Sequence, residues 1–150
     1  ARFRNVVGKD TKRHIAGMGL LLTYPGVPSI YSGDELGVEG QWGEDGRRTI
    51  DWSGQSWDHD FLSEVKKLIK IRRQSHALAQ GGLRWILIED DLLVFERESK
   101  REKLLVVVSR SAQRIKLDGI AEVKQRLYGP DLKGQIYKSD GACLGIYRLS

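Results

Sequence analysis

Apolar residues recur at helical spacing near the start of the chain. They lie three or four residues apart: Ile15, Met18, Leu21 and Leu22. This spacing predicts an amphipathic helix, which Asp10 or Thr11 can cap and which ends before Pro25. Residues 26–33 follow as a short, mostly apolar segment bounded by glycines, which predicts one buried strand, although Pro28 lacks a donor for the ladder.

A second, more regular helix is predicted from about residue 58 to residue 75. One face carries the apolar stripe Phe61, Leu62, Val65, Leu68 and Ile69. The C-terminal half carries cations that the helix dipole favours: Lys66, Lys67, Lys70, Arg72 and Arg73. Asp58 or Asp60 can supply the N-cap.

The periodicity changes from helix to strand after Gly81 and Gly82. Short apolar segments separated by turn-forming residues predict seven strands, at residues 83–88, 92–97, 103–109, 115–117, 126–128, 135–137 and 144–149. Closely spaced strands of this kind favour an antiparallel Greek-key β-sandwich at residues 82–150. Residues 1–81 read helix, strand, helix, and one strand cannot form a sheet. We therefore expect an α+β chain whose first part closes a larger α/β body.

Composition and charge exclude several classes of protein. The net charge is +5, and the basic excess is two before Gly82 and three after it, so no basic arm or stripe favours nucleic acid. No apolar run approaches the roughly 20 residues of a membrane helix, and we expect no membrane partner. Cys143, the single cysteine, fits a small buried hydrophobe better than a nucleophile. The sequence does not determine the cellular compartment, although it favours the cytoplasm over secretion.

Two adjacent carboxylates follow the predicted strand, in Gly33-Asp34-Glu35-Leu36-Gly37. Function in α/β barrels lies on loops after strands, where acids can bind sugar hydroxyls or hold a cationic side chain in place; the alternative is a turn with solvated acids. Arg47 and Arg48 follow in the same loop and favour function, because a guanidinium can bind a carboxylate or vicinal hydroxyls with paired donors. An internal salt bridge to Asp34, Glu35 or Asp45 is an equal alternative.

The remaining candidates for chemistry are fewer. Trp42, Trp52 and Trp57 can stack on a sugar ring or, as the favoured alternative, serve as buried loop anchors. The three histidines have neither the spacing nor the cysteine partners of a zinc site, and the acidic loop lacks the ligand pattern of an EF-hand. We therefore expect no metal and no cofactor.

Three segments resemble the α-amylase family of glycoside hydrolases: LLLTYPGVPSIYSGDELG at residues 20–37, RRTIDW at residues 47–52 and IKIRRQSHAL at residues 69–78. They are similar to the family's last barrel helices, its eighth strand and the arginine-containing loop beyond that strand. LLVVVSRS at residues 104–111 looks like a strand of the family's C-terminal β domain. The general pattern is nearest to the neopullulanase, maltogenic amylase and α-glucosidase branch. The resemblance implies the end piece of a (β/α)8 barrel followed by that β domain.

The resemblance also implies a function. Family members are retaining glycosidases that act on α-glucans or malto-oligosaccharides, and their three catalytic acids lie on the fourth, fifth and seventh strands. Ala1-Arg2-Phe3 resembles the residues directly after the seventh-strand motif, so we expect no catalytic residue in this chain and no activity from it alone. Arg47, Asp34 and Glu35 match positions that contact substrate or line the rim of its pocket.

Two further expectations concern binding. A non-catalytic carbohydrate-binding or structural β domain is the alternative function, with a stacking platform of Trp85, Tyr128, Tyr137 and Tyr147, although burial of these aromatics in the core is favoured. The strand predicted at residues 26–33 would lack both barrel neighbours. We therefore expect residues 1–57 either to self-associate or to be mobile.

Overall fold

The computed structural model describes all residues, 1–150. Four helices come first: α1 Phe3–Val6, α2 Thr11–Thr23, α3 His59–Gln74 and α4 His76–Gln80. Seven strands follow: β1 Gly82–Glu89, β2 Leu92–Glu98, β3 Lys103–Ser109, β4 Gln113–Lys116, β5 Val123–Tyr128, β6 Ile136–Ser139 and β7 Cys143–Leu149. Two short 3-10 turns, Asp34–Leu36 and Asp45–Arg47, lie in the long segment between α2 and α3. No helix is long and apolar enough to cross a membrane.

Both predicted long helices form, and each has the expected aspartate at its N-cap. Asp10 accepts a hydrogen bond from the backbone N–H of Arg13, and Asp58 accepts one from that of Phe61 at 3.0 Å. The buried face of α2 differs in part from the prediction, because Leu21 is exposed whereas His14 is fully buried. The cause is tertiary packing, which the apolar spacing alone does not show.

The strands form two antiparallel sheets, which confirms the predicted sandwich. The larger sheet has the order β1-β2-β3-β7-β5, and β4 pairs with β6 in a second, two-stranded sheet. The last strand, β7, returns to lie between β3 and β5, which gives the Greek-key crossing. All seven predicted strands are present within a few residues of their expected bounds.

The larger sheet carries a separate hydrophobic core on each face. Leu104, Val106 and Val108 of β3 pack against α2 and α3, in a core that also contains Phe61, Leu68, Phe95 and Ile146. The alternate residues Leu105 and Val107 pack toward Tyr137 of the smaller sheet. Because β3 is covered on both faces, its sequence is a continuous apolar run rather than an alternating one.

The strand predicted at residues 26–33 does not form, and that prediction is wrong for this structure. No other strand lies beside the segment, so its backbone has no ladder to join, and Val27 is 96% exposed. The segment begins at a turn held by Arg72, whose guanidinium donates to the carbonyl oxygens of Leu22, Tyr24 and Gly26. Residues 26–33 are therefore an unpaired connection from α2 to the 34–57 loop.

The helices and the larger sheet are joined at Gly81 by a buried arginine. Arg97 of β2 is 1% exposed, and its guanidinium donates to the carbonyl oxygens of Thr23, Leu78 and Gly81. One side chain thereby satisfies acceptors at the ends of α2 and α4. The change from helices to strands lies where the sequence predicts it, since α4 ends at Gln80 and β1 begins at Gly82.

Candidate functional site

The acidic motif lies in a short 3-10 turn whose carboxylates are both engaged within the chain. Asp34 accepts a hydrogen bond from Nη1 of Arg2 at 3.0 Å. Glu35 accepts a 2.9 Å hydrogen bond from the backbone N–H of Gly33. Leu36 of the same turn is buried and anchors it. Both acids are half-buried rather than freely solvated.

Arg2 is the centre of the surrounding contacts, and only 5% of it is exposed. Its Nε donates to the carbonyl oxygen of Gly46 at 2.7 Å, and its Nη1 donates to that of Ser32 at 2.8 Å. The guanidinium carbon also lies 4.4 Å from the centroid of the Tyr31 ring, which is a cation–π contact. Arg2 thereby ties the start of the 34–57 loop to Gly46 in its middle.

The two loop arginines have different surroundings. Arg48 forms a 2.7 Å ion pair with Asp45, so the internal salt bridge named as an alternative is present for this arginine. The hydrogen bond from Arg48 is the main cause that lowers the pKa of Asp45. Arg47 is exposed and makes no side-chain hydrogen bond or ion pair. Of the pair, Arg47 is thus the one whose donors remain available to a ligand.

An open pocket of about 390 Å³ gathers part of the predicted site. Its lining includes Arg2, Tyr31, Ser32, Arg47, Arg48 and Trp52. Asp34 is joined to the pocket through its ion pair with Arg2, whereas Glu35 turns back onto Gly33. The structure thus places Arg47 in the pocket lining together with Arg2, whereas Asp34, paired with Arg2, and Glu35 both lie outside that lining.

Two of the three loop tryptophans are exposed. Trp52 is 81% exposed beside Arg47, and Trp42 is 60% exposed, so the buried-anchor interpretation is wrong for both. Trp57 is half-buried and its ring lies 5.9 Å from that of His59. Trp52 and Tyr31 present aromatic surface at the pocket, which is suited to stacking on a sugar ring.

The aromatic platform proposed for the β domain does not form. Tyr137 and Tyr147 are fully buried in the core between the sheets. Tyr128 donates a hydrogen bond to Glu64, and burial is the main cause that raises its pKa. Tyr128 is partly buried, and Trp85, the most exposed of the four at 38%, has its ring 5.3 Å from that of Phe95. These four side chains therefore share no surface on which a sugar could stack.

Sequence reasoning missed Arg2 and Tyr31. Nothing local in the sequence shows the contacts of Arg2, because they reach residues 30 or more positions away. The signal that was available for Tyr31 is its place two residues before Gly33 in the motif that follows the predicted strand.

Comparison with known proteins decides the family. Cyclomaltodextrinase of Thermoanaerobacter pseudethanolicus is 32% identical over 121 residues, which are 73% of this chain and 21% of that protein. Maltogenic alpha-amylase of Bacillus acidopullulyticus is 30% identical over 108 residues, 69% of this chain and 18% of that protein. The native debranching enzyme of Nostoc punctiforme superimposes with a TM-score of 0.85 at 26% identity, over 99% of this chain and 33% of that enzyme.

The chain is homologous to a segment of the proteins of the α-amylase family. It spans about one fifth of the length of the two curated relatives and one third of the solved structure. No family model matches the chain. The resemblance found in the sequence is thus confirmed, and the chain shares with these enzymes a fold of helices followed by an antiparallel β domain.

Proposed function

We propose that this chain is the C-terminal portion of a retaining α-glycosidase that acts on α-glucans or malto-oligosaccharides. In this proposal residues 1–81 belong to the catalytic barrel and residues 82–150 form the C-terminal β domain. The observation that carries the proposal is the pocket in which the unpaired Arg47 lies beside two exposed aromatic rings, Tyr31 and Trp52. The relatives support the substrate class, since they are named cyclomaltodextrinase and maltogenic amylase.

Each pocket residue has a role that follows from its surroundings. Arg47 offers paired N–H donors to sugar hydroxyls, because no carboxylate of the chain occupies them. Tyr31 and Trp52 offer apolar faces to the C–H surface of a pyranose ring. Asp34 acts indirectly, through its ion pair with Arg2. Glu35 lies at the rim of the pocket, and its carboxylate supports the turn.

The chain alone is proposed to be inactive. Retaining glycosidases place two carboxyl groups about 5 to 5.5 Å apart on opposite sides of the scissile bond. Asp34 and Glu35 are neighbours in one turn, and each is already engaged, with Arg2 and Gly33 respectively. They cannot supply that opposed pair. The purified 150-residue chain should release no glucose or maltose from maltotriose or pullulan, and measurable release would contradict this.

The role of Arg47 is tested in the intact protein that contains this chain. We expect Arg47→Ala to raise the KM for maltotriose about tenfold, which is the effect of losing one charged hydrogen-bond donor. Arg101→Ala is the matched control, because Arg101 is an exposed arginine of the β2–β3 turn with no ion pair. An unchanged KM in Arg47→Ala would remove Arg47 from the site. Absence of any glucan turnover by the intact protein would overturn the proposed function itself.

We also propose that residues 1–57 of the isolated chain either self-associate or are mobile. The support is the unpaired segment after α2, where Val27 is 96% exposed, together with the 68% exposure of Val6 in α1. Apolar surface of this kind recruits another chain. Light scattering with hydrogen exchange tests this: a monomer whose residues 1–57 are fully protected would contradict it. Val27→Lys should shift a self-associating chain toward the monomer.

A further inference from the structure

Arg2 bonds two separate segments of the 31–57 region with one guanidinium. It reaches Ser32 and Asp34 on one side and Gly46 on the other, at 2.7 to 3.0 Å. A buried cation is expensive unless its donors are satisfied, and here main-chain carbonyls and one carboxylate satisfy them. The arginine is thus built into the site rather than lying on its surface.

The loop that carries Arg47 has few other attachments to the helices. Residues 40–46 fold back on themselves so tightly that a Cβ on Gly40 would lie 2.5 Å from the Cα of Gly46. Three contacts fix the Gly40 end: its carbonyl accepts from the backbone N–H of Arg2 at 2.7 Å, its N–H donates to Asn5 Oδ1 at 2.7 Å, and the adjacent Glu39 pairs with Lys9 at 2.7 Å. At the other end the Nε of Arg2 donates to Gly46, directly before Arg47.

We propose that Arg2 is a positioning residue that sets the place of Arg47, and with it the affinity of the pocket for a sugar. The inference rests on the proposed function, and it assigns to Arg2 an effect exerted through Arg47. The guanidinium also supports the Tyr31 ring, so the aromatic surface and the free arginine of the pocket are placed by one side chain. Lysine cannot replace it, because a single ammonium on a flexible stem does not span Gly46 and Asp34 with a rigid fork.

The test is a double-mutant cycle in the intact protein, measured on maltotriose well below the unfolding temperature. Arg2→Lys keeps the charge beside Asp34 and should raise KM about fivefold, with kcat within twofold. Combined with Arg47→Ala, it should add little to the KM of Arg47→Ala alone, because the residue it positions is already removed and the lysine keeps a cation beside the Tyr31 ring. Additive effects on KM, or an unchanged KM in Arg2→Lys, would overturn the proposal.

The matched control is Arg72→Lys. Arg72 likewise donates from one guanidinium to three main-chain carbonyls, but it does so at the turn after α2, away from the pocket. General loss of stability should affect both lysine variants, so the same KM increase in Arg72→Lys would contradict a specific role for Arg2.

Hydrogen exchange separates this inference from the proposed function. In Arg2→Lys the amides of residues 40–48 should exchange at least tenfold faster, while those of β3 remain unchanged. This result is independent of turnover, so it tests the position of the loop even if the intact protein acts on no glucan. Unchanged exchange at residues 40–48 would show that Arg2 does not hold the loop.

Discussion

The hydroxyl of Ser75 donates a 2.6 Å hydrogen bond to Oε2 of Glu102. The same carboxylate oxygen accepts from the backbone N–H of Ala77 at 3.0 Å, and Oε1 accepts from the guanidinium of Arg148. Glu102 lies in the turn between β2 and β3, so this one carboxylate joins the start of α4 to the sheet. Although burial opposes ionisation, these hydrogen bonds together hold the pKa of Glu102 below its usual value.

We expect Glu102→Gln to lower the free energy of unfolding by about 2 kcal/mol at pH 7, because the charge-assisted bonds are lost. A depressed folded-state pKa stabilises the protein above the pKa of the unfolded chain, near 4.5, and the contribution is lost as the pH falls below it. Urea unfolding at pH 7 and pH 3 measures both effects. Glu122→Gln is the exposed control, and an equal loss in that variant would contradict the assignment.

His14 makes the stability of the protein depend on pH in a higher range than Glu102 does. Burial, and then the nearby Arg4, lower the pKa of His14 to about 4. Both ring nitrogens lack a hydrogen-bond partner, and the ring stacks on Phe61 with the centroids 4.1 Å apart. Because the folded state binds the proton less well than the unfolded chain, stability is complete above about pH 6.5 and falls as the pH drops toward 4.

We expect His14→Phe to remove up to about 3 kcal/mol of this pH dependence between pH 6.5 and 4, since one pKa unit corresponds to about 1.4 kcal/mol. The variant should be at least as stable as the wild type at pH 7, because no polar nitrogen is left unpaired. Thermal unfolding across this pH range is the measurement, with the exposed His59→Gln as control. A slope that persists in His14→Phe would assign the sensitivity to other groups.

Arg97→Lys should destabilise the chain strongly. The lysine cannot reach all the carbonyl oxygens that the guanidinium binds, from Thr23, Leu78, Gly81 and Gly82, and the bonds to Thr23 and Leu78 are buried. At roughly 1 kcal/mol for each lost hydrogen bond, we expect a decrease of about 3 kcal/mol in the free energy of unfolding.

Chemical denaturation of Arg97→Lys beside Arg101→Lys checks this prediction. Arg101 is exposed in the turn between β2 and β3, so its replacement should change stability by less than about 0.5 kcal/mol. Similar small changes in both variants would show that the buried contacts of Arg97 contribute little.

Gly129 and Gly119 form a matched pair for testing close packing. Both have a positive φ, of 86° and 76°, but a Cβ on Gly129 would lie 2.1 Å from the carbonyl oxygen of Leu144, whereas one on Gly119 would meet nothing within 4 Å. Gly119→Ala should cost about 1 kcal/mol for its backbone conformation. Gly129→Ala should cost about 3 kcal/mol or more, because the main chain of β7 has to move. Equal unfolding midpoints would contradict this.

The parts of the fold that local chemistry specifies could be predicted from the sequence. Asp58 and the apolar stripe behind it define α3, and the β3 run from Leu104 to Val108 marks a strand covered on both faces. The prediction of a strand at residues 26–33 was wrong because an apolar segment becomes a strand only beside another strand with which it can pair. Apolar content shows that a segment can pair, not that a partner is available.

The site was predicted only in part, for a similar reason. Asp34, Glu35 and Arg47 follow a motif that is continuous in sequence, and they could be named in advance. Arg2 could not, because its bonds cross 30 to 44 positions and an isolated arginine has no periodicity. Which arginine of the pair stays free depended on whether Asp45 reaches Arg48, a matter of loop geometry that spacing does not determine.

The core between the helices and the larger sheet limits how this region can be exchanged by recombination. Leu104, Val106 and Val108 of β3 share that core with side chains of α2 and α3. A crossover at Gly81 between two relatives would join helices and a sheet whose contact surfaces have not co-evolved. Chimeras with the junction upstream of Thr11 would inherit both halves of the core from one parent, and we expect those to be the ones that remain soluble.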